Sequence, residues 1–170
     1  MENSEVLETV VLRWKGPYTY EQIQELPDGN GLYLLTGKKR YSRASTDKAL
    51  YCGITEGKFR TRINEKHHKK QEIREANLKI WLGQIIYPAK FDRSLLERTE
   101  TCLISFWQPE LNEKKKAYYP AQPICFVSQW CRTDGSAYGQ RFPEDVRDLQ
   151  DVLWWDTDVW RTGDLKIVRL

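Results

Sequence analysis

Gly31-Leu32-Tyr33-Leu34-Leu35 and Ala49-Leu50-Tyr51-Cys52-Gly53-Ile54 are the two stretches that decide the fold. Both are short, apolar and contain a tyrosine, a composition typical of buried β-strands. The residues between them, 36–48, are basic and polar, so we expect a hairpin loop with irregular extensions. The turn signal at residues 27–31 separates this hairpin from the chain before it.

The flanking sequence predicts further helices and strands around the hairpin. Periodicity and turn residues indicate strands at residues 6–14, 78–87, 124–130 and 166–169, and helices at 58–76, 93–107 and 143–152. Gly16-Pro17 is expected to end the first strand, and Thr19 followed by Gln22 forms a capping box that begins a short helix. We therefore expect an α+β fold, a small central β-sheet flanked by helices.

The length of 170 residues suits one domain with short additions, and it is sufficient to bury a hydrophobic core. We expect an N-terminal extension at residues 1–30, a core at 31–120 and a C-terminal extension at 121–170 that packs on the core. There is no run of about 18 apolar residues, and the N-terminus alternates acidic with apolar residues. We expect no membrane span, no signal peptide and a soluble, cytoplasmic protein.

The cysteines do not have the spacing of a zinc site. Cys52, Cys102, Cys125 and Cys131 form no CxxC pair, and the two histidines, His67 and His68, are far from most of them. We expect the cysteines to be small apolar core residues.

Positive charge is concentrated in one part of the chain. Residues 38–79 contain 13 Lys or Arg against 5 Asp or Glu, whereas residues 121–170 contain 6 basic and 8 acidic side chains. This distribution predicts a surface that faces a polyanion. A helix that is merely well solvated would have the same composition.

Five sequence pieces, taken together and in order, resemble the GIY-YIG nuclease family. They are Gly31-Leu32-Tyr33, Tyr51-Cys52-Gly53, Phe59-Arg60-Thr61-Arg62-Ile63, Glu100-Thr101-Cys102-Leu103-Ile104 and Pro109-Glu110-Leu111-Asn112. The resemblance covers about half of the chain. It implies a GIY-YIG-like core with a C-terminal extension, and a metal-dependent DNA endonuclease that hydrolyses phosphodiester bonds. The catalytic residues that it implies are Tyr33, Tyr51, Arg62, Glu100 and Asn112, with one Mg²⁺ or Mn²⁺ held by Glu100.

The helix at residues 93–107 gives independent support for a role of Glu100. Projected at about 100° per residue, its apolar side chains form one broad arc, and Glu100 falls inside that arc. A carboxylate on an apolar face is costly unless it is paired or bound to a cation. The alternatives are a metal ligand or a buried ion pair with a residue such as Arg62. Glu97 lies at the edge of the arc and is interpreted as a solvated neighbour.

The tyrosines need a nearby cation before either can act as a base. A phenol has an ordinary pKa of about 10, and a cation within about 4–6 Å lowers it. Arg62 or the metal would provide that cation, and either Tyr33 or Tyr51 would then accept the proton of the attacking water. Core-edge tyrosines with satisfied hydroxyls would have the same pattern. Asn112 is interpreted as holding the loop after the helix in place.

Basic residues around this constellation are the candidates for binding DNA backbone. The gap between the two tyrosines is longer than is usual in the family, and it is basic with an aromatic residue, Tyr41. Lys66 would lie one helical turn after Arg62 and face the same phosphate. The full candidate set is Lys38, Lys39, Arg40, Arg43, Arg60, Lys66, His67, Lys114, Lys115 and Lys116.

The compact chain favours a stand-alone endonuclease of restriction or mobile-element type. Two alternatives stay open. One is a catalytically silent DNA- or protein-binding module on the same scaffold, and the other is a nuclease subunit that needs a partner. A homodimer or a protein partner would contact the acidic, Trp-rich region that contains Trp130, Trp154, Trp155 and Trp160.

Overall fold

The computed structural model describes residues 7–27, 29–138, 143–166 and 168. The described strands are β1 (Glu8–Tyr18), β2 (Gly31–Gly37), β3 (Lys48–Thr55), β4 (Lys79–Tyr87), β5 (Ile124–Cys131), β6 (Val152–Trp155) and β7 (Trp160–Gly163). The helices are α1 (Tyr20–Glu25), α2 (Phe59–Arg62) and α3 (Arg93–Trp107), with single 3₁₀ turns at Lys70–Glu72, Glu75–Asn77 and Glu144–Val146.

The described strands form one seven-stranded sheet in the order β3-β2-β4-β1-β5-β6-β7. All neighbouring strands are antiparallel except β1 and β5, which are parallel. The fold is therefore mixed α+β, as predicted, but the sheet is larger than the small sheet expected. Residues 1–30 and 121–170 contribute strands to the same sheet as residues 31–120, so the sheet is continuous across all three segments.

Two hydrophobic layers cover the two faces of the sheet. All seven residues of β2 are buried, and alternate side chains of this strand enter opposite layers. Leu32 and Leu34 pack in the layer that contains α3, whereas Tyr33 and Leu35 pack in the layer that contains residues of α1 and α2. The candidate site begins in the second layer and lies at β3, which is the edge strand at one end of the sheet order.

Several local predictions are confirmed. The capping box of α1 is present, with Thr19 Oγ1 accepting from the Gln22 N–H and the Gln22 side chain accepting from the Thr19 N–H. The hairpin of β2 and β3 forms, β4 ends before Pro88, and α3 has the predicted bounds. Asp92 caps α3 by accepting a hydrogen bond from the Leu95 N–H at 3.0 Å.

The predicted helix at 58–76 is wrong, because only Phe59–Arg62 is α-helical. The Asn64 side chain accepts from the Lys66 N–H at 2.8 Å and donates to the Thr61 carbonyl at 2.6 Å. These local side-chain bonds replace the hydrogen bonds that would continue the helix. Lys66 is therefore not on the face of Arg62, contrary to the expectation from helical spacing.

The predicted helix at 143–152 is also wrong, since it is reduced to one 3₁₀ turn. Asp145 is buried in that turn, where its Oδ2 accepts from the Thr36 hydroxyl at 2.6 Å and from the Trp81 indole at 2.7 Å. Val152 then begins β6, which pairs with β7 in a hairpin that was not predicted. Of the strand predicted at 166–169, residues 167 and 169 lie outside the described residues, and Lys166 and Val168 are not in a strand.

Gly16-Pro17 does not end β1, which continues to Tyr18. The pairing of β1 with β4 shifts register between Lys15 and Tyr18, so Pro17 lies at an irregularity of the ladder. A proline lacks a backbone N–H, and it is tolerated at such a place because an irregular part of the ladder does not need that donor.

Candidate active site

Tyr33 lies in the middle of β2, with its phenol directly over Gly53 of β3. The two residues are register partners in the antiparallel pair. A Cβ atom added to Gly53 would lie 2.5 Å from the Tyr33 hydroxyl oxygen and 2.6 Å from its Cζ. The glycine of the second motif is therefore required by the tyrosine of the first one, because any side chain there would occupy the place of the phenol.

Tyr51 faces the same side of the sheet as Tyr33 and is more accessible. It pairs with Leu35, which packs in the same layer as Tyr33, and the two phenol rings have centroids 6.1 Å apart. Tyr33 is 0% exposed, whereas Tyr51 is half-buried. Of the two phenols, Tyr51 is the one that solvent reaches.

His67 is buried against both tyrosines. Its Nε2 is 2.9 Å from the Tyr33 hydroxyl, and its ring meets the rings of Tyr33 and Tyr51 edge-on. His67 Nδ1 accepts from the backbone N–H groups of Lys69 and Lys70, each at 3.2 Å. Burial, together with His68 and Arg62, lowers the pKa of His67 to about 4, so the ring is neutral near pH 7.

These contacts fix the tautomer of His67. Because Nδ1 accepts two hydrogen bonds, the single proton of the neutral ring is on Nε2. Nε2 therefore donates to the Tyr33 oxygen, and the Tyr33 O–H is left to donate elsewhere. Sequence reasoning placed His67 among the DNA contacts, but the side chain lies beneath the tyrosines and is 5% exposed.

Arg62 is the cation next to the two phenols. Burial raises the pKa of Tyr33 well above its ordinary value, Tyr51 raises it further, and the Arg62 guanidinium opposes both. The pKa of Tyr51 is also raised, chiefly by burial and further by the charge of Glu100, although Arg62 and the Tyr33 hydroxyl oppose the rise. The expected cation is therefore present, but it does not bring the pKa of either phenol below its ordinary value. Arg62 and Glu100 are thus both close enough to act on Tyr51, and Arg62 itself is exposed to solvent.

Glu100 is buried on α3, as the projection of the helix predicted. Its ion-pair partner is Lys115 and not Arg62, and the Lys115 Nζ lies 2.5 Å from Glu100 Oε2. The buried ion pair that the sequence left open as an alternative is therefore present, with Lys115 as the partner instead of Arg62. A single carboxylate completed by water and a phosphate oxygen is a usual way to hold Mg²⁺, so the residues present fit that ion.

Asn112 fastens the loop after α3 to the strand that carries Tyr51. The Cys52 N–H donates to Asn112 Oδ1, and Asn112 Nδ2 donates to the Cys52 carbonyl, both at 2.9 Å. The neighbouring Leu111 N–H donates to the Leu50 carbonyl at 2.8 Å. Asn112 is buried, and this position gives it a holding role on β3, as the sequence interpretation expected.

The basic candidates fall into two groups. The first consists of lysines that pair with carboxylates: Lys38 with Asp47 at 3.7 Å, Lys39 with Glu110 at 2.8 Å, and Lys115 with Glu100. The side chains of the second group are exposed or half-buried in the structure, namely Arg40, Arg43, Arg60, Lys66, Lys114 and Lys116. The positive charge predicted from composition is therefore partly neutralised by neighbouring carboxylates.

Two features of the site have no local sequence signal. The bond of His67 to Tyr33 joins residues 34 positions apart, and the pair of Lys115 with Glu100 joins α3 to the loop that follows it. Neither depends on a repeating pattern or a spacing rule, so both require the three-dimensional structure.

Comparisons with protein-family models, with curated proteins and with solved structures returned no match to this chain. Among the residues that the structure describes, no three His, Cys, Asp or Glu side chains gather into a metal site, so Glu100 would be a single protein ligand. None of the described helices combines the length and apolar composition needed to cross a membrane.

Proposed function

We propose that this chain is a metal-dependent DNA endonuclease with a GIY-YIG-like core. The observation that supports the proposal is that the rings of Tyr33, Tyr51 and His67 pack together at edge strand β3, where the charges of Arg62 and Glu100 act on Tyr51. Phenol, guanidinium and carboxylate groups close enough to influence one another's charge can provide proton transfer, phosphate binding and cation binding at one place. That combination supports phosphodiester hydrolysis.

Tyr51 is the better candidate for the general base. The hydroxyl of Tyr33 is enclosed, so an attacking water reaches Tyr51 first. His67 donates to the Tyr33 oxygen and leaves the Tyr33 proton free to face Tyr51. That hydrogen bond and Arg62 oppose the effect of burial on the pKa of Tyr51, which still lies above its ordinary value. Tyr33 is then a positioning residue, and Tyr51 accepts the proton of the water.

Arg62 would bind the scissile phosphate. The Arg62 side chain is exposed, and the charges of both phenols and of Glu100 raise its pKa. A guanidinium matches the geometry of phosphate oxygens and stabilises the charge that spreads over them in the transition state. The same cation favours the deprotonated form of Tyr51, which takes the proton of the water as that water attacks the phosphorus.

Glu100 would hold the Mg²⁺ or Mn²⁺. Bound there, the ion would supply Lewis-acid stabilisation to the departing oxygen of the phosphodiester. Glu100 itself contributes a carboxylate that is already shielded from water, and its charge raises the pKa of Tyr51 as long as that charge is not neutralised. A cation bound at Glu100 would therefore also change the pKa of Tyr51.

DNA is the substrate that the charged surface supports best. Arg40 and Arg43 are exposed on the hairpin loop beside the site, and Tyr41 between them is 96% exposed. Exposed cations bind the backbone phosphates, and an exposed phenol ring offers a surface for stacking on a base. The loop is held in place by Arg40 N–H donating to the Glu72 carbonyl and Arg74 N–H donating to the Lys38 carbonyl, both at 2.8 Å.

The proposal is tested by incubating the purified chain with supercoiled, linear, branched and single-stranded DNA, with Mg²⁺, with Mn²⁺ and with a chelator. Metal-dependent cutting of at least one substrate is the expected result, and the pattern identifies the substrate structure. Binding of DNA without cutting under every condition would contradict the enzymatic proposal.

A silent binding module on the same scaffold is the second candidate. The ion pair of Glu100 with Lys115 favours it, because a lysine already neutralises the buried carboxylate. A subunit that needs a partner, or a homodimer, is a related possibility for the C-terminal region. There Trp130 and Trp155 are buried in the core, whereas Trp154 is exposed at the sheet edge formed by β6 and β7. Cutting that begins only when a second protein is added would support that alternative.

A further inference from the structure

Lys115 contacts the one carboxylate that the proposed mechanism assigns to metal binding. Its Nζ lies 2.5 Å from Glu100 Oε2, and the two side chains differ in accessibility, 41% exposed for Lys115 against 9% for Glu100. A buried carboxylate requires a compensating cation, and here the ammonium provides it. The contact therefore neutralises Glu100 in the chain without metal.

The loop around Lys115 is fastened so that this lysine is directed at α3. Asn112 binds Cys52 on one side of it, and on the other side the Gln108 side chain donates to the Lys116 carbonyl at 2.7 Å. Ser105 of α3 donates to the Tyr118 carbonyl at 2.8 Å. Lys115 itself has a positive φ of 66°, a conformation that is uncommon for residues other than glycine. The backbone thus presents one particular lysine to Glu100.

We propose that Lys115 is a metal-exchange residue: its ammonium occupies the cation position on Glu100 until a divalent ion displaces it. This inference rests on the proposed function, because it takes Glu100 as the metal ligand. A divalent cation and an ammonium repel each other, so both cannot stay on the same carboxylate oxygen. The exposed, flexible stem of Lys115 allows the ammonium to turn outward without moving the fastened loop.

The released ammonium would be next to the scissile phosphate. The charges of Arg62 and Glu100 both act on Tyr51, so in the proposed mechanism an ammonium that leaves Glu100 stays near the phosphate bound by Arg62. Lys115 would then contribute a phosphate contact only after the metal is bound. The lysine was predicted as a DNA contact from its position in a basic run, and the exchange links that role to metal entry.

The first test measures metal binding without DNA. Lys115→Met keeps an unbranched stem of nearly the same length and removes the ammonium, and Lys114→Met removes the charge of a neighbouring residue. Isothermal titration with Mg²⁺ and with Mn²⁺ should give about tenfold tighter binding for Lys115→Met than for the wild type, and a change of less than about twofold for Lys114→Met. Equal affinity of Lys115→Met and the wild type would overturn the proposal.

A Glu100→Gln variant distinguishes failure of the exchange role of Lys115 from failure of metal binding at Glu100. If the wild type binds metal, Glu100→Gln does not, and Lys115→Met binds no more tightly than the wild type, the metal site stands and the exchange role of Lys115 fails. If the wild type and Lys115→Met both bind no metal, the metal site fails, and the exchange role fails with it.

A second test needs no substitution and serves if Lys115→Met does not fold. The wild-type chain is treated with a lysine-acylating reagent, with and without Mg²⁺, and modification of each lysine is quantified by mass spectrometry. Reactivity of Lys115 should rise several-fold with Mg²⁺ while Lys114 stays the same, because only Lys115 leaves an ion pair. A Lys115 reactivity that does not respond to saturating Mg²⁺ would contradict the exchange.

Discussion

At the scale of single residues, the site depends on close contacts that only particular side chains permit. Gly53 is the clearest case, since the Tyr33 phenol fills the space that a side chain would need. His67 is the second case, because its two ring nitrogens are both committed, one to the backbone and one to Tyr33. The glycine and tyrosine positions were predicted from the motifs, whereas the contact that joins them was not.

Gly53→Ala should displace the Tyr33 ring and destabilise the chain by about 1–3 kcal/mol, the usual cost of overpacking a filled core. Gly57→Ala is the matched control, because a Cβ there would meet only Thr55 Oγ1 at 3.7 Å, an ordinary contact. Urea denaturation measures both free energies of unfolding. Equal stabilities of the two variants would mean that the phenol does not depend on the space above Gly53.

His67 should make the stability of the chain depend on pH between about 6.5 and 4. Its pKa is lowered to about 4 in the folded chain from an ordinary 6.5, so the folded state binds the proton less well than the unfolded state. The stabilisation is fully present above pH 6.5 and is lost as the pH falls towards 4, on the order of 2–3 kcal/mol in all.

His67→Gln should remove this component, whereas His68→Gln should retain most of it, because burial is the largest cause of the lowered pKa of His67. Urea midpoints at pH 7 and pH 4.5 give the comparison. A fall in stability of the same size in His67→Gln and in the wild type would show that His67 does not titrate as a buried neutral group.

At the scale of elements, periodicity predicted α3 well because one apolar arc determines both its bounds and the burial of Glu100. It failed for residues 58–76, where helix-forming composition is overridden by the local bonds of Asn64 and His67 to backbone N–H groups. It failed again at 143–152, because Asp145 is drawn into buried bonds with Thr36 and Trp81. Local side-chain bonds in the first place and tertiary contacts in the second therefore outweigh intrinsic helix propensity.

The loop after α3 is the element that joins Glu100 and Lys115 to edge strand β3, and Asn112 is its fastening. Asn112→Ala would leave the N–H and C=O groups of Cys52 buried without partners, so we expect a loss of about 2–4 kcal/mol in the free energy of unfolding. Asn30→Ala, which removes one exposed bond to the Glu56 carbonyl, should cost less than about 0.5 kcal/mol. Thermal and urea unfolding compare the two variants. An equally small loss of stability in both would mean that Asn112 does not hold the loop on β3.

At the scale of the whole molecule, one sheet connects the two parts of opposite charge. The basic hairpin loop lies at the β3 end of the sheet order, and the acidic C-terminal strands lie at the β7 end. Composition alone predicted this separation of charge along the chain. It did not predict the parallel pairing of β1 with β5, which is long-range and brings the C-terminal strands into the same sheet.

DNA binding should weaken steeply as salt rises, because phosphate contacts release counterions. The variant with both Arg40→Gln and Arg43→Gln should bind more weakly, and its plot of log affinity against log salt should lose about one unit of slope for each phosphate contact removed. Arg161→Gln, at the opposite end of the sheet order, should leave the slope unchanged. Fluorescence anisotropy over a range of salt concentrations measures all three, and a flat dependence in the wild type would exclude the basic loop as the DNA surface.

The proposed function depends above all on Glu100, and it is tested by cleavage of supercoiled plasmid by Glu100→Ala in Mg²⁺, with DNA affinity measured in parallel. Glu97→Ala is the matched control, since Glu97 lies one turn earlier on α3, is exposed and pairs with Arg93. We expect Glu97→Ala to cut like the wild type. We expect Glu100→Ala to lose cutting by at least about a hundredfold while its DNA affinity stays within a few-fold. Undiminished Mg²⁺-dependent cutting by Glu100→Ala would mean that Glu100 does not hold a catalytic metal ion.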